Sequence, residues 1–412
     1  MKIAILGYGK EGKSAEDYFK KQGADIQVFD DFKNEDLDKV DFSGFDLILR
    51  SPSVLPRAGF SSITKYFFDH VKAPIIGVTG TKGKGTTCSM IADILRALGK
   101  KVYLVGNIGN PSIDILDEAT ENDVIVYEMS SFQLWDMKKS PKIAVVLRIE
   151  PDHLNIHKDF DDYVNAKSHI AAFQKDGDSI IYFRDNENSV KIAEKSKGKK
   201  IPYPILKKSE KLEELLGSLK VPGEHNKENA EAALLAAAEF LNVSLDELID
   251  KNFDKIKAAL ENFKGLPHHI EFVKNINGVD YFDDSFSASY PSLDVAIKSF
   301  LDKKVVLIAG GKDRGLDLSS IKRAIFDAPN LEKVVLIGET KNKLAEGENE
   351  EKFVLMDDFR DAIKTARDVA EGLVKNGDDV VVLLSPGAAS FDMFKDFYDR
   401  GNQFKKIVEE MK

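Results

Sequence analysis

The stretch Gly80-Thr81-Lys82-Gly83-Lys84-Gly85-Thr86-Thr87 gathers glycine, ammonium and hydroxyl groups into one short loop. That combination suits a polyphosphate. Glycines let backbone N–H groups approach phosphate oxygens, a lysine neutralises their charge, and a following helix adds positive potential from its N-terminus. The flanks agree: the apolar run Ile75-Ile76-Gly77-Val78 predicts a buried strand, and Cys88–Leu95 has helical spacing. An ordinary glycine-rich turn between strand and helix lacks the Lys84-Gly85-Thr86-Thr87 tail. Glycine occupies position 85, where a hydroxyl usually follows the lysine directly, so a hydroxyl ligand for magnesium must come from Thr86 or Thr87.

Other chemistry-bearing residues also follow apolar runs. Glu128 ends Val124-Ile125-Val126-Tyr127; a carboxylate there suits magnesium, which prefers oxygen donors, or simply favours a helix start. Asp152-His153-Leu154-Asn155-Ile156-His157 follows Ile143–Leu147, and it holds two of the chain's seven histidines. Lys167 lies in the helical stretch Tyr163–Phe173. An ammonium repels cations, so Lys167 belongs near a metal only if it meets phosphate or is converted by CO2 to an anionic carbamate. Asn226 and Asn229, three apart, can share a helical face and offer amides to a base edge; Asn226 is equally suited to cap a helix. Gly310-Gly311-Lys312-Asp313-Arg314-Gly315 and Ser385–Asp392 each follow a strand-like run; a cationic loop facing a serine-rich turn suits a small dicarboxylate. Gly7-x-Gly9-x-x-Gly12, with Asp30 after the next strand, matches a dinucleotide fingerprint in outline, or else serves tight strand–helix packing.

The elements that must position these groups alternate strand and helix nearly throughout, which predicts α/β layers with parallel sheets. At 412 residues the chain exceeds one core. Three domains are expected: residues 1–72, 73–264 with the phosphate loop, and 265–412, with Gly265 and Pro267 as hinge punctuation. The basic run Lys195–Lys200 and the acidic run Glu346–Glu351 read as solvated loops. A net charge of −10 argues against general nucleic-acid binding or an anionic membrane surface. The one cysteine, Cys88, cannot form an intrachain disulfide, and Lys2–Leu6 reads as a strand rather than a signal peptide. No apolar run approaches the roughly 20 residues that span a bilayer. A cytoplasmic protein without membrane insertion is expected.

Taken together, the motifs resemble the Mur ligase family of ATP-dependent amide-bond-forming enzymes. The discriminating pieces are Arg50-Ser51-Pro52-Ser53-Val54-Leu55-Pro56, the Gly-Asn-Ile-Gly at 106–109, Glu128–Leu134, and the C-terminal run from Ser385 through Phe394, Phe397 and Arg400 to Phe404. They spread over nearly the whole chain and look most like the D-glutamate-adding branch. The resemblance implies a Rossmann-like N-terminal domain for the sugar nucleotide, with Lys10, Glu11, Asp31 and Phe32 at matching positions. It implies a central P-loop ATPase-like domain and a C-terminal Rossmann-like domain that closes over the site. By position, Gly80–Thr87 would bind ATP, with Lys84 on the β- and γ-phosphates. Glu128 and Thr86 would serve one Mg2+, and His153 with a carbamylated Lys167 a second. Asn107 would touch substrate, Asn226 and Asn229 adenine, His269 phosphate, and Asp284 ribose. Arg314, Ser390 and Phe397 would cradle D-glutamate, to be joined to UDP-N-acetylmuramoyl-L-alanine by a monomer.

Several positions depart from that pattern. His269 stands where an arginine commonly contacts phosphate, and an imidazole is charged only part of the time near neutral pH. Phe286 replaces a lysine and Ser53 a glycine, while Arg148 and Asn155 flank the His153 loop in unusual form. Competing readings are a sister ligase or folate-type polyglutamate ligase, an NAD-dependent oxidoreductase built on Gly7–Gly12, and a non-catalytic nucleotide switch.

Overall fold

The computed structural model describes residues 1–30, 34–315, 317–346 and 350–411; Asp31 and Phe32 lie outside them. Among the described residues the strands form three sheets. The first contains β1 (Lys2–Leu6), β2 (Asp25–Phe29), β3 (Leu47–Arg50) and β4 (Ser61–Ser62), ordered β2-β1-β3-β4 and parallel throughout. The second contains β5 (Ile75–Thr79), β6 (Val102–Gly106), β7 (Val124–Glu128), β8 (Ile143–Val146), β9 (Ser179–Phe183) and β10 (Lys199–Tyr203). Its order is β10-β9-β8-β5-β7-β6, again all parallel. The third contains β11 (Glu271–Ile276), β12 (Val279–Asp283), β13 (Lys304–Gly310), β14 (Leu331–Ile337), β15 (Phe353–Leu355) and β16 (Val380–Leu384). It is ordered β11-β12-β16-β13-β14-β15, and only the β11–β12 pair is antiparallel.

The sequence explains this layering. Strands such as β5, β7, β8 and β16 are buried at every position, as expected where helices cover both faces of a parallel sheet. In the second sheet the chain builds from β5 towards β6 and β7, then crosses back to β8. Ligand crevices in open α/β sheets form at the carboxyl ends of strands beside such a switch. The loop after β5 therefore occupies the position that the fold makes available.

The chain divides into two compact units, residues 1–218 with 227–260, and residues 219–226 with 261–412. The first two sheets thus belong to one unit, although the sequence suggests a division at 72/73. Buried Arg50 of β3 pairs with Asp136 at 2.6 Å, Lys10 Nζ donates to the Gly109 carbonyl at 2.8 Å, and Tyr18 Oη donates to Asp117 at 3.2 Å.

Two local expectations need correction. The basic run is not wholly loop: Lys199 and Lys200 open β10, an edge strand on which exposed lysines are at home. The alanine-rich helix runs Glu224–Leu241, so Asn226 sits inside its first turn rather than capping it, and its Nδ2 donates to the Pro222 carbonyl at 2.6 Å. For the acidic run, residues 347–349 are not described.

Candidate active site

Gly83 precedes the helix Lys84–Ala97 with φ +82°, a left-handed conformation that favours glycine. A Cβ there would also lie 2.8 Å from Asn229 Oδ1, which puts the Asn229 amide directly against the phosphate loop. Thr87 is fully buried and its hydroxyl donates to the Gly83 carbonyl at 3.0 Å, so it is turned into the helix. Thr86 is half-buried and is the remaining hydroxyl of the pair.

Two lysines converge on one carbonyl. Lys84 Nζ donates to the carbonyls of Gly80 at 3.1 Å and Thr81 at 3.0 Å. Lys167, buried in the helix Phe160–Ala172, donates to the same Gly80 carbonyl at 2.9 Å and to Thr79 Oγ1 at 3.4 Å. Its ammonium lies 4.6 Å from the Tyr163 ring centroid, one helical turn away, and Tyr163 Oη is 3.1 Å from Thr81 Oγ1. Burial, then the neighbouring Lys84 charge, pushes the Lys167 pKa well down; burial also lowers that of Lys84. Glu128 is buried at the end of β7, where desolvation raises its pKa against the pull of both lysines. Among the described residues no group donates a hydrogen bond to its carboxylate. Asn107 is exposed beside it, and its N–H donates to the Glu128 carbonyl at 3.4 Å.

The two loop histidines differ. His153 is half-exposed, with φ +55° and Nε2 3.6 Å from Asp152 Oδ2. His157 is buried, within 3.0 Å of Ser131 Oγ through Nε2 and 3.1 Å of Asp162 through Nδ1, and it stacks on Trp135 at 4.2 Å. It is a packing residue. Asp152, whose charge acts on both lysines, was not singled out from sequence, nor was Tyr163. Their signals were adjacency to His153 and the i, i+4 spacing to Lys167.

A magnesium ion needs oxygen donors. The Glu128 carboxylate and Thr86 hydroxyl suit it, and His153 offers an imidazole from an open loop. Lys167 fits only after losing its positive charge. The His/Asp/Glu set that does cluster among the described residues is elsewhere, His268, Glu271 and Asp283 in the second unit. It is closed by its own contacts: His268 Nδ1 lies 2.6 Å from Asp283, and Lys405 pairs with Glu271 at 2.9 Å.

In the first sheet, Lys10 reaches the 106–109 loop as described, while Glu11 turns inward. Gln133 Nε2 donates to Glu11 Oε1 at 2.9 Å, Oε2 is buried with no partner among the described residues, and desolvation pushes the carboxyl up to about 7. Asp30 accepts from the Tyr8 N–H at 3.0 Å, within the glycine loop itself.

In the second unit, Asp284 accepts from Ser385 Oγ at 2.7 Å and from the Ile270 N–H at 3.2 Å, and burial raises it to about 8. His269 stacks against Phe286 at 4.1 Å; burial and the nearby His268 lower its pKa, so it is neutral near pH 7. Phe286 meets Phe397 edge-on at 5.0 Å. The loops after β13 and β16 pair, with the Lys312 N–H donating to the Ala389 carbonyl at 2.8 Å beside buried Ser390, while Arg314 is exposed on the first of them.

A parallel sheet with a lysine-bearing glycine loop at its switch point defines a phosphate-binding α/β protein. Comparisons narrow the class. Residues 78–237 match the Mur ligase middle domain. The UDP-N-acetylmuramoylalanine–D-glutamate ligase of Clostridium kluyveri is 33% identical, over 100% of this chain and 97% of its own length. That of Clostridium tetani is 32% identical, over 100% and 97%. Among solved structures, MurF from Acinetobacter baumannii superposes with TM-score 0.60 at 19% identity, covering 84% of this chain and 79% of its own. MurC from Thermotoga maritima gives TM-score 0.58 at 18% identity over the full length of both. The chain belongs to the Mur ligase family.

Proposed function

We propose that this protein is an ATP-dependent ligase that joins D-glutamate to the L-alanine carboxylate of UDP-N-acetylmuramoyl-L-alanine, in cytoplasmic synthesis of peptidoglycan precursors. The observation that carries the reading is the convergence of Lys84 and Lys167 on the Gly80 carbonyl, beside the buried Glu128. Over this glycine loop the Lys84 ammonium is poised to exchange its carbonyl partners for phosphate oxygens.

The substrate carboxylate attacks the γ-phosphorus, a new O–P bond forms, and the bond to the β-bridging oxygen breaks to release ADP. The amine of D-glutamate then attacks the acyl phosphate carbonyl and loses a proton. The tetrahedral intermediate expels inorganic phosphate with the electrons of the C–O bond. Both steps depend on positioning and charge neutralisation. Lys84 neutralises the β- and γ-oxygens, and the loop N–H groups orient them. Thr81, tied to Tyr163 and to the Arg148 and Glu150 carbonyls, fixes the loop. Mg2+, held by Glu128 and Thr86 with a second ion at His153, would supply further charge neutralisation on the phosphates.

The depressed pKa of Lys167 favours the neutral amine that CO2 requires, which supports a carbamate there. Asn229 and Asn226 are assigned to the base, Asp284 to the ribose and His269 to an uncharged nucleotide contact. Lys10, Glu11 and Asn107 are assigned to the sugar nucleotide, Glu11 through the placement of Gln133. Arg314, Ser390 and Phe397 are assigned to D-glutamate, and the working form is taken as a monomer. The test is phosphate release with ATP, magnesium and the alanyl sugar nucleotide, across D-glutamate, L-glutamate and other amino acids. Release that depends on the sugar nucleotide and D-glutamate together is expected; a preference for another amino acid would move the protein to a sister activity.

A further inference from the structure

Arg148 follows β8, and its carbonyl accepts from the Thr81 N–H at 2.9 Å, so its backbone is fastened to the phosphate loop. Its side chain is organised although it is 49% exposed. The guanidinium carbon lies 3.9 Å from the ring centroid of Phe183, which Tyr203 holds edge-on at 5.3 Å. Nη2 donates to Glu228 at 2.9 Å. A guanidinium is planar, with donors in the plane and two flat faces. Glu228 takes a donor at the edge and Phe183 covers one face. A second flat partner would have to lie on the opposite face. Glu228 also precedes Asn229, whose amide lies against Gly83.

We propose that Arg148, seated on Phe183, is the platform on which the purine base of the nucleotide lies, with the Asn229 amide at the base edge. The proposal rests on the reading that residues 80–87 bind ATP. It assigns Arg148 a flat surface rather than a phosphate charge. The ion pair with Glu228 offsets its charge and keeps the guanidinium from swinging over the loop, where Lys84 and Lys167 already stand. Stacking on such a surface tolerates any base but favours the larger purine face.

Calorimetric titration of wild type, Arg148→Ala and Arg148→Lys with ATP, CTP and tripolyphosphate tests this. Arg148→Ala is expected to weaken ATP about tenfold, leave tripolyphosphate within about twofold, and remove the preference for ATP over CTP. Arg148→Lys keeps the charge without the plane and should behave like the alanine variant. Unchanged ATP affinity in Arg148→Ala, equal losses for ATP and tripolyphosphate, or full recovery in Arg148→Lys would each overturn the platform. A wild-type protein that binds neither ATP nor tripolyphosphate would instead defeat the nucleotide reading beneath it.

Discussion

The first unit contains two glycine loops of the same plan, each following a buried strand and opening a helix, yet the structure uses them differently. In Gly7–Gly12 the two nearby acids are engaged within the protein, while Lys10 reaches outward to Gly109. Asp30 holds the Tyr8 N–H, Glu11 is buried against Gln133, and a Cβ on Gly12 would fall 2.1 Å from the Gly7 carbonyl. Here glycine is required by close packing of helix on loop. In Gly80–Thr87 two lysine side chains converge instead on one carbonyl, with a buried carboxylate nearby. A glycine pattern identifies a tight turn; the charges gathered around it decide whether the turn handles phosphate.

The contrast can be broken most sharply at the lysines. Lys84→Ala should reduce turnover by roughly a thousandfold or more while leaving the melting temperature near that of the parent. Lys10→Ala, at the other loop, should chiefly raise KM for the sugar nucleotide. Comparable turnover losses in both would erase the distinction. Lys167→Ala should also be inactive, yet partly recover with added short carboxylates that replace a carbamate; activity without them would remove that role.

Stability separates the loops in the opposite sense. Gly12→Ala should cost roughly 2–4 kcal/mol in denaturant unfolding, because the new methyl meets backbone. Gly9→Ala, with open space around it, should cost about 1 kcal/mol or less. Equal costs would show that the packing of Gly12 is not what the loop requires.

Glu11 offers a finer measure. Its folded pKa of about 7 lies above the ordinary glutamate value of 4.5, so the folded state binds the proton more tightly than the unfolded chain. Stability from this group is present below about pH 4.5 and lost as pH rises towards about 7. Glu11→Gln, which keeps an acceptor for Gln133, should therefore stabilise the protein by about 1–3 kcal/mol at pH 8 and little at pH 4. A pH-independent difference would contradict the buried carboxyl.

Much of the fold was legible because buried parallel strands read as continuous apolar runs. Lys2–Leu6 reads as a strand at its observed bounds, and the apolar runs Ile75–Val78, Val124–Tyr127 and Ile143–Leu147 match β5, β7 and β8 to within one residue. The phosphate loop was legible because its residues are contiguous. The rest depends on partners far apart in sequence. That the first two sheets form one unit turns on pairs such as Lys10 with Gly109 and Arg50 with Asp136. The inward turn of Glu11, the packing role of His157, and the Asp284 carboxyl directed at Ser385 all come from contacts that no local pattern encodes. The exchange of cations for the His269–Phe286 stack was visible as two separate substitutions, but their contact was not.

The central claim is that the loop of residues 80–87 directs the γ-phosphoryl group of ATP onto a carboxylate. Turnover with the alanyl carboxylate labelled with 18O tests it most directly. Mass analysis of the released phosphate should find one labelled oxygen per turnover, carried over from the acyl phosphate. Product formed with wholly unlabelled phosphate would contradict the claim.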